Sequence, residues 1–230
     1  MVKKLDKWCD NQWILFLCVT GVVTGIIAAV FWNDIPIGAH ASIFVALIMP
    51  FHVLEEWKFP GGLHCFYNNV VFTSKKIIDQ RDRYPMSRLT DMITNVGLQW
   101  IPLIYIILVH NTELGNAVAL CMMLLSFVEV IAHTGAGFLV LHLYKNRGKK
   151  TLYSPGVATS YMMFLPAGVY VVAHIENVTA GDWLWSVVLL AIMMLICVPL
   201  TETPLKKWVA KQDKGLFAFE DNKYYEKYMK

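Results

Sequence analysis

Residues 116–144 read NAVALCMMLLSFVEVIAHTGAGFLVLHLY, an apolar run with one glutamate, Glu129, near its middle. A hydrocarbon core roughly 30 Å thick is crossed by about 20 apolar residues in helical form, so this run spans a bilayer. An isolated charge at its centre costs on the order of 2.5–3.5 kcal/mol on insertion scales, and Glu129 therefore needs a partner. His133 stands four residues on, and Ser126 and Gly137 continue the same face among Leu, Val and Met. A polar stripe of that kind points into a helical bundle.

Working outward, five further runs reach spanning length: approximately Trp13–Trp32, Ile35–Trp57, Met92–His110, Tyr153–His174 and Asp182–Leu200. Together the six predict an all-α integral membrane protein, a six-helix transmembrane bundle over residues 1–204 followed by a basic, aromatic-rich tail over 205–230. Composition points the same way. Of the 230 residues 57% are hydrophobic and 16% charged, and the mean hydropathy is +0.48, which excludes a soluble globular enzyme and a nucleic-acid-binding domain. The first run is too long for the apolar region of a signal peptide and no small-residue cleavage site follows it, so it is expected to be retained. The five cysteines show no paired spacing and are expected as free thiols.

The 20 Lys and Arg residues fall on alternate loops. Three lie in the N-terminal tail, six between spans two and three, four between spans four and five, and seven in the C-terminal tail. None remains for the other three loops. This asymmetry places both termini in the cytoplasm of a multi-pass protein, expected in the plasma (inner) membrane. Within the cytoplasmic loop 58–91, Pro60-Gly61-Gly62 ends the second helix and Leu63–Phe72 suits a short interfacial helix or re-entrant piece. The tail, with Trp208, Phe217, Phe219, Tyr224, Tyr225 and Tyr228 among lysines, suits a segment resting on an anionic leaflet or a solvated one.

Span two ends in His52-Val53-Leu54-Glu55-Glu56, where the histidine shares a side with both carboxylates at i+3 and i+4. Spans two and four run in the same direction. His52 lies 17 positions after Ile35 and His133 17 positions after Asn116, so both imidazoles are expected about 25 Å from the outer surface, in the cytoplasmic half. Span three, running the other way, places Asn95 and Gln99 in that half. Span five opens there with Tyr153, with Ser154 and Pro155 as N-cap and first helical residue, and then Thr159.

Imidazoles and carboxylates converging from several helices make a metal site in a bundle. The expected ligands are His52, Glu56, Glu129 and His133, with His64 as a further one, around one or two divalent ions; iron, zinc and manganese all fit. Glu55 or Glu56 would serve as general base, and Asn95, Gln99, Ser126, Tyr153 and Thr159 would line the site. Simpler readings stand beside this: Glu55 and Glu56 solvated or paired with Lys58, and Glu129 with His133 as a hydrogen-bonded pair that fastens helices. His142 is expected at the interface, and His40, His110 and His174 on the outer side with no role.

His52-Val-Leu-Glu55-Glu56, then Pro60-Gly61-Gly62, His133, Tyr153-Ser154-Pro155-Gly156 with Thr159, and Phe164-Leu-Pro166 resemble the HXXEE family of polytopic membrane proteins over roughly residues 50 to 170. Relatives tend to carry Asn where this chain has Ser154, another capping residue. The resemblance implies the site residues and no reaction. The function expected is a metal-dependent membrane enzyme acting on a lipid or other hydrophobic, membrane-partitioned substrate; a proton-coupled transporter and a non-catalytic scaffold or immunity-type protein are the alternatives. Oligomeric state is left open.

Overall fold

The computed structural model describes residues 1–71, 78–111 and 114–229. Phe72, included in the interfacial reading, and the His110 side chain lie outside the described residues. The helices are α1 (Val2–Trp8), α2 (Gln12–Val30), α3 (Ile37–Trp57), α4 (Leu63–Phe66), α5 (Arg88–Asn111), α6 (Gly115–Tyr144), α7 (Val157–Thr159), α8 (Leu165–His174), α9 (Ala180–Leu195), α10 (Thr203–Val209) and α11 (Glu226–Met229). Wide π-turns extend α4 over Tyr67–Val71, join α7 to α8 over Ser160–Phe164, and join α9 to α10 over Ile196–Glu202. Six helical rods are long and apolar enough to cross a membrane, and no strand forms among the described residues.

Two rods differ from the sequence reading. The fifth starts at Val157 instead of Tyr153, because Gly156 takes a left-handed turn with φ 92° and leaves residues 153–156 outside the helix. The sixth continues to Val209, past the expected end at Leu200. Pro199 lacks the N–H for a helical hydrogen bond, and the Thr201 hydroxyl bonds the carbonyls of Ile196 (2.8 Å) and Cys197 (2.6 Å). The ladder widens at that point without breaking.

The rods expose aliphatic side chains outward. Leu15, Val22 and Ile26 on α2, Ile104 and Ile107 on α5, and Leu184 and Val187 on α9 are each more than half exposed, an arrangement suited to hydrocarbon. The central rod is α3, most of whose residues are buried against α2, α5, α6 and α8. Its first half, Gly38, Ala39, Ala41, Ser42 and Ala46, is small enough for neighbouring backbones to approach closely. Pro50 lies inside it. That proline removes the N–H that would bond the Ala46 carbonyl, and Gln99 Nε2 of α5 replaces it at 2.9 Å while also donating to the Leu17 carbonyl of α2 at 2.9 Å.

Both ends of the chain meet at one end of the bundle, called here the tail face. Asp6 accepts from the Phe217 amide (2.7 Å) and pairs with Arg88 (2.7 Å), which also reaches Asp10 at 3.2 Å. Part of the C-terminal tail packs against the bundle. The buried Arg83 guanidinium donates to the carbonyls of Gln212, Asp213 and Leu216, and Phe217 and Tyr225 are fully buried. Tyr225 and Tyr228 pack with Cys65, Phe66 and Val140 in a second apolar cluster. Burial of these rings against the bundle satisfies the same composition that an anionic leaflet would. The five cysteines are free thiols.

Candidate metal centre

His52 and His133 reach one point from α3 and α6, with ring centroids 4.9 Å apart and planes at 88°. Between them sits Glu56, one turn after His52. Its Oε1 lies 3.2 Å from His52 Nε2 and 3.3 Å from His133 Nε2. Glu129, one turn before His133, brings Oε2 to 3.5 Å from His133 Nε2 and 3.7 Å from His52 Nε2. Ligands held about 2.0–2.2 Å from a single ion in a tetrahedron stand roughly 3.3–3.6 Å apart. The four edges measured here lie close to that interval. His52, Glu129 and His133 form a group whose ligand atoms all fall within 4.8 Å of one another, able to hold a metal ion; Glu56 stands outside that group and touches its two imidazoles.

Charge balance calls for two positive charges at the centre. Among the described ion pairs, Glu56 and Glu129 face only these two imidazoles, with no Lys or Arg on either. Two carboxylates against two neutral imidazoles leave an excess of two negative charges in a low-dielectric interior, which two protons or one divalent ion would offset. A donor set of two imidazoles and two carboxylates suits zinc, iron or manganese and does not choose among them.

Each imidazole is oriented from behind. His133 Nδ1 lies 3.1 Å from the Pro155 carbonyl and donates to it, since a carbonyl only accepts. His52 Nδ1 lies 2.7 Å from the Thr159 hydroxyl. That hydroxyl gives its one proton to Glu55 Oε2 at 2.6 Å, so it accepts from His52. Both histidines thus carry a proton on Nδ1 and turn Nε2 toward the carboxylates, the orientation by which outer partners fix metal-ligating histidines. Phe164 packs edge-on against His52 at 5.2 Å.

Glu55 does not join the centre. Its carboxylate accepts from the amides of Ala158 (3.0 Å) and Thr159 (2.8 Å) and from the Thr159 hydroxyl, capping the fifth rod from a different helix. Glu55, expected as a candidate general base, is thus held by three donors at the start of the fifth rod. Ser154, expected as the N-cap, makes no side-chain cap, and its hydroxyl is buried without a partner. Gly156 is needed for proximity as well as φ: a Cβ there would overlap the His133 ring.

The remaining expectations divide. Thr159 belongs to the centre through His52. Ser126 turns back to the Met122 carbonyl of its own helix (2.8 Å). Gln99 serves the α2 and α3 backbones, and Asn95 donates to the carbonyl and the side chain of Asp91, both at 3.0 Å; Asp91 in turn accepts from Trp57 Nε1. Gln99 thus ties α5 to its neighbours, while Asn95 bonds within α5 and supports the Asp91 carboxylate that meets Trp57 of α3. Tyr153 lies in the turn before the fifth rod, its phenol beside Glu55 and its carbonyl accepting from Lys149 (2.7 Å) and Tyr224 (3.0 Å). His64 stands apart from the group of ligand atoms. It is buried flat against Phe219 (3.8 Å, 6°) at the tail face, and burial pushes its pKa down to about 4. The outer His40 bonds the Trp32 carbonyl at 2.9 Å. Missed from the sequence were Asp91 and the Pro155-Gly156 turn. The signal for Asp91 was a buried Trp57 indole needing an acceptor.

A sequence profile described as a protein of unknown function with HXXEE motif matches residues 43–171, a stretch that contains all four side chains of the centre and both partners that orient them. No curated protein and no solved structure matches the chain.

Proposed function

The chain belongs to the HXXEE family, and we propose that it is a metal-dependent integral membrane enzyme acting on a lipid or another membrane-partitioned substrate. The convergence of two Nε2 atoms and two carboxylates at edges of 3.2–3.7 Å carries this reading. The backward hydrogen bonds that aim both Nε2 atoms at the carboxylates support it. A divalent ion held by His52, His133, Glu56 and Glu129 supplies Lewis-acid activation of water for a hydrolysis, or, if iron, activation of dioxygen. Glu56, its side chain 5% exposed, is pinned between both imidazoles. The Glu129 side chain, 20% exposed, is the carboxylate with room to swing off and take up a proton, as a general base must. The distribution of Lys and Arg supports a cytoplasmic tail face, which sets the centre in the inner-leaflet half of the membrane with substrate entering from that leaflet.

A carrier would need polar groups continuing to the opposite end of the bundle. Beyond the centre, α3 and α6 pack Val45, Ile48, Met49, Leu120, Met122 and Met123 against one another, which argues against one. A second reading has the four side chains fastening α3 to α6 without an ion; the Glu56 contacts of 3.2 and 3.3 Å favour it, being near hydrogen-bond reach. The test is a comparison of extracted membrane lipids, by mass spectrometry, from cells carrying equal amounts of the wild-type protein and Glu129→Gln. Lipid species formed or consumed only with the wild type are expected. Identical lipids from both, with metal bound to the wild type, would overturn the enzyme reading.

A further inference from the structure

Beside the centre, on the membrane-facing surface, a groove of about 390 Å³ runs between α3 and the fifth rod. Phe44, Leu47 and Ile48 form one wall, and Met162, Met163, Pro166 and Ala167 the other, with Tyr170 at the far end. None of these side chains is charged. Ile48 stands one turn before His52, and Met163 one turn after Thr159. The groove therefore starts about one helical turn from the His52–Thr159 hydrogen bond (2.7 Å).

Its direction has a chemical meaning. His52 lies five residues before the end of α3 at the tail face, about 7.5 Å below that end, and Phe44 lies a further 12 Å or so toward the middle of the bundle. A lipid in the leaflet on the tail-face side holds its polar head and ester linkages near the level of His52, and its chains point the way the groove runs. The far end is closed: Tyr170 packs edge-on against Phe44 at 5.0 Å and near Trp32 at 6.1 Å. The two methionines give the wall a surface that adapts to a flexible chain.

We propose that this groove holds one acyl chain of a phospholipid from the tail-face leaflet, aligned so that the bonds near its headgroup reach the His/Glu centre, with the Phe44–Tyr170 contact limiting chain length. The inference names the substrate class for the function proposed above and rests on it.

The test uses full-length protein in phosphatidylcholine vesicles that contain a phosphatidylcholine with a diazirine on one acyl chain. After irradiation, label is mapped by peptide mass spectrometry. The expected result is label concentrated on Leu47, Ile48, Met162 and Met163 over Ile26, Ile107 and Val187 on other faces, even though these three are more exposed than Leu47, Ile48 or Met163. Ala167→Trp, which fills the groove, should lower that label several-fold and Ala167→Leu by less, with zinc binding unchanged in both. Even labelling around the bundle, or no response to Ala167→Trp, overturns the inference. So does groove labelling by a free diazirine fatty acid but not by the phospholipid. A wild type that binds zinc but labels evenly refutes the groove alone; one that labels the groove but never binds metal refutes the metal centre alone.

Discussion

Replacing Thr159 by valine removes one oxygen and keeps the shape of the side chain. In the native protein that oxygen accepts from His52 Nδ1 at 2.7 Å and donates to Glu55 at 2.6 Å. Valine leaves a buried imidazole N–H without an acceptor, which costs about 1–3 kcal/mol, and takes one of three donors from a buried carboxylate, worth roughly 1.5–3 kcal/mol as a hydrogen bond to a charged group. The two terms share an atom, so the expected loss of folding stability is about 3 kcal/mol and not their full sum. The effect on the metal is separable from this. Without its acceptor, His52 is free to rotate or to switch tautomer, and loss of an orienting partner lowers metal affinity by about 10- to 100-fold. The assay is competition for zinc with a chromophoric chelator in detergent, alongside thermal unfolding of the metal-free protein. Thr159→Ser, which restores the hydroxyl, should recover most of the affinity. If Thr159→Val binds zinc as tightly as the wild type, the hydroxyl does not orient His52 and the relay from Glu55 through Thr159 is refuted.

The adjacent glutamates should behave in opposite ways: Glu56→Gln loses metal with little change in the unbound protein's melting temperature, whereas Glu55→Gln lowers stability by about 1–2 kcal/mol through a weakened helix cap and keeps most of the metal. Both are read by zinc competition and thermal unfolding. Gly156→Ala places a methyl group on the His133 ring at a φ of 92°; backbone strain alone costs about 1–2 kcal/mol, and metal affinity should fall with it. Docking of the C-terminal tail should depend on pH through His64, whose pKa drops from 6.5 to about 4 because burial disfavours the charged form. With the folded value depressed, the undocked state binds more protons between these values, so docking weakens as pH falls from 6.5 toward 4, by up to about 3 kcal/mol. Protection of the amides from Phe217 to Tyr228, taken relative to the intrinsic exchange rate at each pH, should fall over that range, and His64→Phe should abolish the dependence.

The centre was legible where cost and spacing spoke together. Glu129 in mid-span demanded a partner, His133 stood at i+4, and equal counts from the outer ends of two parallel spans put His52 at the same depth. Glu55 and Glu56 were harder to separate, since neighbours on a helix differ by about 100° in direction. Which of them meets α6 and which meets the fifth rod depends on where that rod begins. Ser154-Pro155 imitates a cap and hides the true start at Gly156. Gln99 was misread because its partner is a carbonyl orphaned by Pro50, a need visible only when a proline within one span is matched to a polar residue on another. His64 had no sequence signal at all, as its surroundings come from Phe219, 155 residues away. For the tail, aromatic rings among lysines describe a leaflet-bound segment and a packed one equally well.

Metal content decides the central question most directly. Wild-type protein, His52→Ala and His133→Ala, each purified in mild detergent without chelators, are to be compared by elemental mass spectrometry after folding is verified by melting temperature. Stoichiometric zinc, iron or manganese in the wild type, lost from both folded variants, is expected of side chains that share an ion. Folded wild-type protein that holds no metal, even after incubation with each of the three, would leave the four side chains as a hydrogen-bonded fastening between α3 and α6.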